Sequence, residues 1–77
     1  MNDFLLRVRI RELIKANVVP CDEPEKIWAS RGTGNHCLAC SEPIPPTDVE
    51  YEVNLDDASF RVHRACFVIW REECDAM

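Results

Sequence analysis

Seventy-seven residues hold one domain at most, and a chain this short sits near the lower limit for a free-standing hydrophobic core, where a staple such as a disulfide or a metal is common. A composition of 47% hydrophobic and 30% charged residues, with two glycines and five prolines, excludes a collagen-like or low-complexity chain and opposes wholesale disorder. The formal charge of −5 argues against a dedicated nucleic-acid binder, and five cysteines are the informative excess.

In residues 1–16, Leu6, Ile10, Leu13 and Ile14 follow helical spacing, with Asn2 or Asp3 as a start signal and Asn17 as a stop. The run Leu6–Arg11 also alternates like a strand, but Glu12–Ala16 continue the helical pattern, so helix is the reading. Residues 18–36 read as an irregular connection with prolines at 20 and 24 and turn material at Gly32-Thr33-Gly34-Asn35, anchored by Ile27 and Trp28. A connection that long needs an organising centre nearby.

Cys37-Leu38-Ala39-Cys40 follows, then a proline-dense stretch that excludes helix. Residues 49–55 alternate, with Val49, Tyr51, Val53 and Leu55 on one face and Glu50, Glu52 and Asn54 on the other, as in a half-buried strand. Asp56-Asp57-Ala58 reads as a turn and residues 59–62 as a return strand. Residues 64–75 lack proline and glycine and place Cys66, Ile69, Trp70 and Glu73 on one helical face. The chain reads as a single zinc-binding domain over 1–77: helix to residue 17, connection over 18–36, metal module over 37–77.

The metal reading rests on Cys37-x2-Cys40 and, after 22 intervening residues, His63-x2-Cys66. Zinc takes four soft or borderline ligands in a tetrahedron, and Cys3His is a standard structural set. A Cys-x2-Cys turn lets two sulfurs converge, and a three-residue spacing at the start of a helix points His63 and Cys66 the same way. The helix N-terminus favours thiolate charge. Zinc is the expected ion, with iron as the alternative a cysteine-rich site permits.

The order of knuckle, hairpin and ligand-bearing helix is the treble-clef arrangement, giving an α+β fold with an N-terminal helix packed on it. Residues 37–67 resemble the first half of a LIM domain, with Phe67 directly after the last ligand and Ile44 four residues after Cys40. The poly(ADP-ribose) polymerase zinc finger is similar in pattern but has a longer central spacing. The second zinc module of a LIM domain has no counterpart, so LIM adaptor function is not implied. Val19-Pro20-Cys21, Trp28, Gly32-Thr33-Gly34, Cys37, Cys40, Glu42-Pro43-Ile44, Glu50-Tyr51-Glu52-Val53, His63, Cys66 and Trp70 together resemble a group of small bacterial zinc-binding proteins. That resemblance implies zinc and no particular activity. Ser41 stands where zinc knuckles often carry glycine, which is expected to strain the turn without removing a ligand.

The remaining signals read as structural. Cys21 is expected to be a loop residue and Cys74 a half-buried helix residue, with redox partners or extra ligands as the sharper alternative. His36 reads as a bystander beside the knuckle. Trp28, Trp70, Phe60 and Phe67 are expected in the core. Residues 1–16 carry a local charge of +2 against −7 for the rest, and Arg7, Arg9, Arg11 and Lys15 are expected to meet the domain's own carboxylates. Glu50 and Glu52 read as solvent-facing. Gly32-Thr33-Gly34 lacks the flanking residues of a phosphate loop.

No secretory signal or membrane-spanning run is recognisable, so the expected location is cytoplasmic, where clustered cysteines mean metal rather than disulfides. A closed four-ligand site has no open position for water, and no catalytic zinc, nucleophile or thioredoxin-like context accompanies it. The expectation is a non-catalytic interaction module with a protein partner. A small nucleic-acid-binding or transcription-linked regulator is the alternative.

Overall fold

The computed structural model describes residues 2–55 and 57–76. Asp56 of the expected turn and the Met1 end of the first segment lie outside them. Two helices and a three-stranded antiparallel sheet follow in the order α1 (Asp3–Lys15), β1 (Lys26–Arg31), β2 (Val49–Leu55), β3 (Ala58–His63) and α2 (Arg64–Ala76).

Helix α1 begins where the sequence signals it. The Asn2 side chain accepts from the Leu5 amide at 2.8 Å, satisfying a backbone donor that the first turn leaves unpaired. The helix ends with Asn17 in the left-handed region (φ 60°), its amide donating to Ile14 O while Val18 N reaches Leu13 O. This is the Schellman arrangement, and asparagine is among the few residues that enter it readily. Leu6 and Ile10 are buried, and Leu13 and Ile14 pack beside them.

The sheet order is β1-β2-β3. One face packs on α2, where Tyr51 meets Phe67, and Phe60 and Phe67 both meet Trp70, in edge-to-face contacts with centroids 5.5–5.9 Å apart. Such pairs add about 0.5–1.5 kcal/mol each beyond the area they bury. Trp70 is 2% exposed and donates its indole N–H to Pro20 O at 2.7 Å. The helical face expected in α2 (Cys66, Ile69, Trp70, Glu73) is the one that is buried. Helix α1 docks against α2 through Arg7 and Arg11, which both reach the buried Glu73 carboxylate.

Three expectations are corrected. Residues 26–31, read as part of an irregular connection, form β1, paired with β2 from Lys26↔Asn54 to Arg31↔Val49. All six residues of β1 are exposed, so the period-two burial that announces a strand is missing, and the ladder to β2 makes it one. Trp28 and Ile27 therefore do not anchor the core: they are 56% and 44% exposed. Segment 18–25 is held instead by buried Val19, by the Trp70–Pro20 bond and by Cys21. Glu50 is not solvent-facing. It is 1% exposed, on the sheet face away from α2, and bonded to Arg61 and Thr33.

Cys21 lies in a loop and Cys74 is half-buried in α2, as expected, and the third correction is that they are not separate thiols. They are joined as a disulfide across 53 residues of chain, with Cα atoms 5.5 Å apart. Their distance in sequence hid the pairing. Arg71 sits beside it, donating to the Cys21 and Asp22 carbonyls. Among the described residues no helix is long and apolar enough to cross a membrane.

Candidate metal centre

Two structural corners supply the four side chains. Cys37 and Cys40 lie in a tight turn after β1, and His63 ends β3 where the chain runs directly into α2, whose first turn carries Cys66. The turn is closed by Ser41 N to Cys37 O and Cys37 N to Glu42 O, both 2.8 Å. It is joined to the sheet by Leu38 N to Arg61 O at 2.9 Å. One ligand atom from each of Cys37, Cys40, His63 and Cys66 lies within 4.8 Å of every other. His63 Nδ1 is 3.4 Å from Cys40 Sγ and 3.8 Å from Cys66 Sγ. Ligands held at 2.0–2.3 Å from a common tetrahedral centre stand about 3.3–3.8 Å apart, and both of these histidine–sulfur separations fall in that range.

The backbone is arranged to favour thiolates. The Cys40 and His63 amides donate to Cys37 sulfur, the latter at 3.4 Å, and the Glu42 amide donates to Cys40 sulfur. Among themselves the three sulfurs titrate unequally. The hydrogen bond from Cys66, with help from the two amides, outweighs burial and brings Cys37 down to about 4. The same Cys37–Cys66 bond, reinforced by burial, pushes Cys66 well above the usual thiol range, and burial raises Cys40. A divalent cation held there would favour the thiolate at all three and displace the protons of Cys40 and Cys66. His63 turns its other nitrogen, Nε2, toward Asp48, whose carboxylate lies 3.8 Å away. An acidic group behind a ligating histidine is a common means of orienting the ring.

Comparison with known proteins found no match: no family model, no curated protein and no solved structure corresponds to this chain. The site is therefore read from its own chemistry. Three sulfurs and an imidazole nitrogen, converging in a largely buried corner, suit a borderline-soft metal and leave the set without a carboxylate.

Every residue singled out from spacing is brought to this point, and His36 is not: its side chain is exposed, and its backbone bridges Pro43. Arg9 does not meet the carboxylate expected of it, and its part in this site was missed. It reaches back from α1 to the knuckle, donating to Ala39 O and Ser41 Oγ, both at 2.6 Å. Ser41 sits in the left-handed region (φ 66°), which costs a residue with a Cβ about 1–2 kcal/mol. The strain expected from serine at this position is thus present, and Arg9 clamps it. Asp48 was also missed. Neither residue has a spacing signal, because each acts across the fold.

Gly32 has a plainer role. A Cβ there would collide with the Ile44 and Pro45 carbonyls, so glycine lets the chain leaving β1 pass beneath the segment that follows the knuckle. Gly34 then takes a positive φ of 84° and donates to Ile44 O.

Proposed function

We propose that this chain is a structural-zinc interaction module: a treble-clef-like domain in which Cys37, Cys40, His63 and Cys66 hold one Zn2+, and whose role is to bind another macromolecule without catalysis. The observation that carries the reading is the convergence of four ligand atoms of zinc-preferred type to within 4.8 Å of one another. When bound there, the ion would serve as a cross-link between the knuckle and the β3–α2 corner. Four protein ligands leave no position for water or substrate, which supports an architectural role over a catalytic one.

The basic residues bear on the partner. Arg7 and Arg11 are paired with Asp3, Glu72 and Glu73, and Arg9 with the knuckle, so α1 presents little free charge to phosphate. This supports a protein partner over nucleic acid. A cytoplasmic location belongs to the same reading, since it keeps the three site sulfurs reduced; the Cys21–Cys74 disulfide is the feature that pulls the other way.

Cobalt substitution tests the closed site. One Co2+ per chain with a tetrahedral visible spectrum, unchanged by excess azide, is the expected result. A spectrum that shifts with azide would reveal an open coordination position and move the protein toward catalysis.

A further inference from the structure

The Cys21–Cys74 bond encloses the whole metal centre. Its two residues are 53 apart in sequence, and all four candidate ligands, from Cys37 to Cys66, lie between them. The bond is remote from those ligands in the fold: Cys74 stands eight residues beyond Cys66 on α2, about 12 Å along the helix axis. The three cysteines left as thiols are those of the centre. Cys21 is exposed and Cys74 half-buried, so the bond lies at the surface. Non-covalent contacts hold the same pieces of chain together beside it. The Trp70 indole donates to Pro20 O at 2.7 Å, Arg71 donates to the Cys21 and Asp22 carbonyls, and Val19 is buried. The folded positions of Cys21 and Cys74 therefore do not rest on the bond alone, and its main effect falls on the unfolded chain.

We propose that Cys21 and Cys74 are a reversible redox site that sets how tightly the chain holds zinc, an inference that rests on the zinc reading above. Opening the bond takes two electrons from a dithiol reductant. One of its thiolates attacks a sulfur of the bond, forming a mixed disulfide and freeing one cysteine; its second thiol then displaces the other. The reductant leaves as a disulfide, and its two protons pass to Cys21 and Cys74. Zinc binding at a structural site is coupled to folding, so whatever disfavours the unfolded chain tightens the metal. Closing a loop across 53 residues lowers the entropy of the unfolded chain by an amount worth about a thousandfold in the folding equilibrium. Where the metal-free chain is unfolded in both states, the same factor separates the zinc affinities of the oxidised and reduced protein. Linkage is reciprocal, so zinc favours the disulfide over the two thiols by that factor as well. It does so by ordering residues 18–25 against α2, which brings the two sulfurs together.

The test is the zinc affinity of the full chain, measured by competition with a chromophoric chelator. Three forms are compared: the oxidised protein, the same protein reduced with a phosphine, and the double variant Cys21→Ser/Cys74→Ser. Peptide mass mapping establishes the state of the bond, and near-ultraviolet circular dichroism the fold of each zinc-saturated form. The reduced protein and the double variant should agree with each other and bind zinc about a thousandfold more weakly than the oxidised protein, tenfold at the least. A smaller ratio overturns the proposal. So does a weakened double variant beside an unweakened reduced protein, which would trace the loss to the serines. An oxidised, zinc-loaded protein in which Cys21 and Cys74 are not joined overturns it too. Equal affinities in all forms would leave the zinc reading standing, whereas failure of every form to bind zinc would end both.

Discussion

Glu50 shows how one residue departs from its sequence pattern. Burial by itself would raise its carboxyl, but the hydrogen bonds from Arg61 and from the Thr33 hydroxyl and amide outweigh it and hold the group below the usual glutamate range. A carboxyl lowered on folding adds stability that is present above its unfolded value, near 4.5, and is lost as pH falls through the folded one. Glu50→Gln should therefore lower stability at neutral pH by about 1–3 kcal/mol and flatten the acid limb, read from urea midpoints against pH with metal content monitored. Acid limbs that run parallel in the two proteins would show that Glu50 does not titrate in folding. Alternation along β2 put Glu50 on the polar face, and so it is. What alternation cannot express is that Thr33, 17 residues earlier, and Arg61, 11 residues later, close over that face. The four metal-site residues were legible for the opposite reason: their two spacings are local, and one hairpin joins them.

At the scale of elements, both helices were readable because their signals are local. Asn2 caps α1, Asn17 stops it, and the buried face of α2 repeats every three to four residues. Strand β1 was not, since its burial is uniform and its strand character comes from pairing with β2. The docking of α1 involves Glu73, whose carboxylate Arg11 and then Arg7 hold below the usual range. Glu73→Gln should loosen α1 from α2, so that amides of α1 exchange hydrogen several-fold faster while those of β2 and β3 keep their protection. Unchanged exchange in α1 would mean that Leu6 and Ile10 dock the helix unaided.

Across the whole molecule, one disulfide and one proposed metal site bear on how a small core is held together. The Cys21–Cys74 disulfide ties the segment before β1 to the end of α2. An ion held by Cys37, Cys40, His63 and Cys66, as proposed, would tie the knuckle to the β3–α2 corner. The disulfide, with buried Val19 and the Trp70–Pro20 bond, accounts for the order of residues 18–25, which have no secondary structure of their own. Core size sets the relative weight of disulfide and metal. A 77-residue domain has a stability of about 5–15 kcal/mol, whereas structural zinc contributes roughly 10–16 kcal/mol in small zinc-binding peptides. The metal, on this account, decides whether the domain folds. The most direct test is a chelator titration of the purified protein, disulfide intact, that follows metal content by elemental analysis and the packing of Phe60, Phe67 and Trp70 by near-ultraviolet circular dichroism. One zinc per chain, lost together with the aromatic signal, is the expected result. Metal released while that signal stays unchanged, or a folded protein that never carried metal, would contradict it.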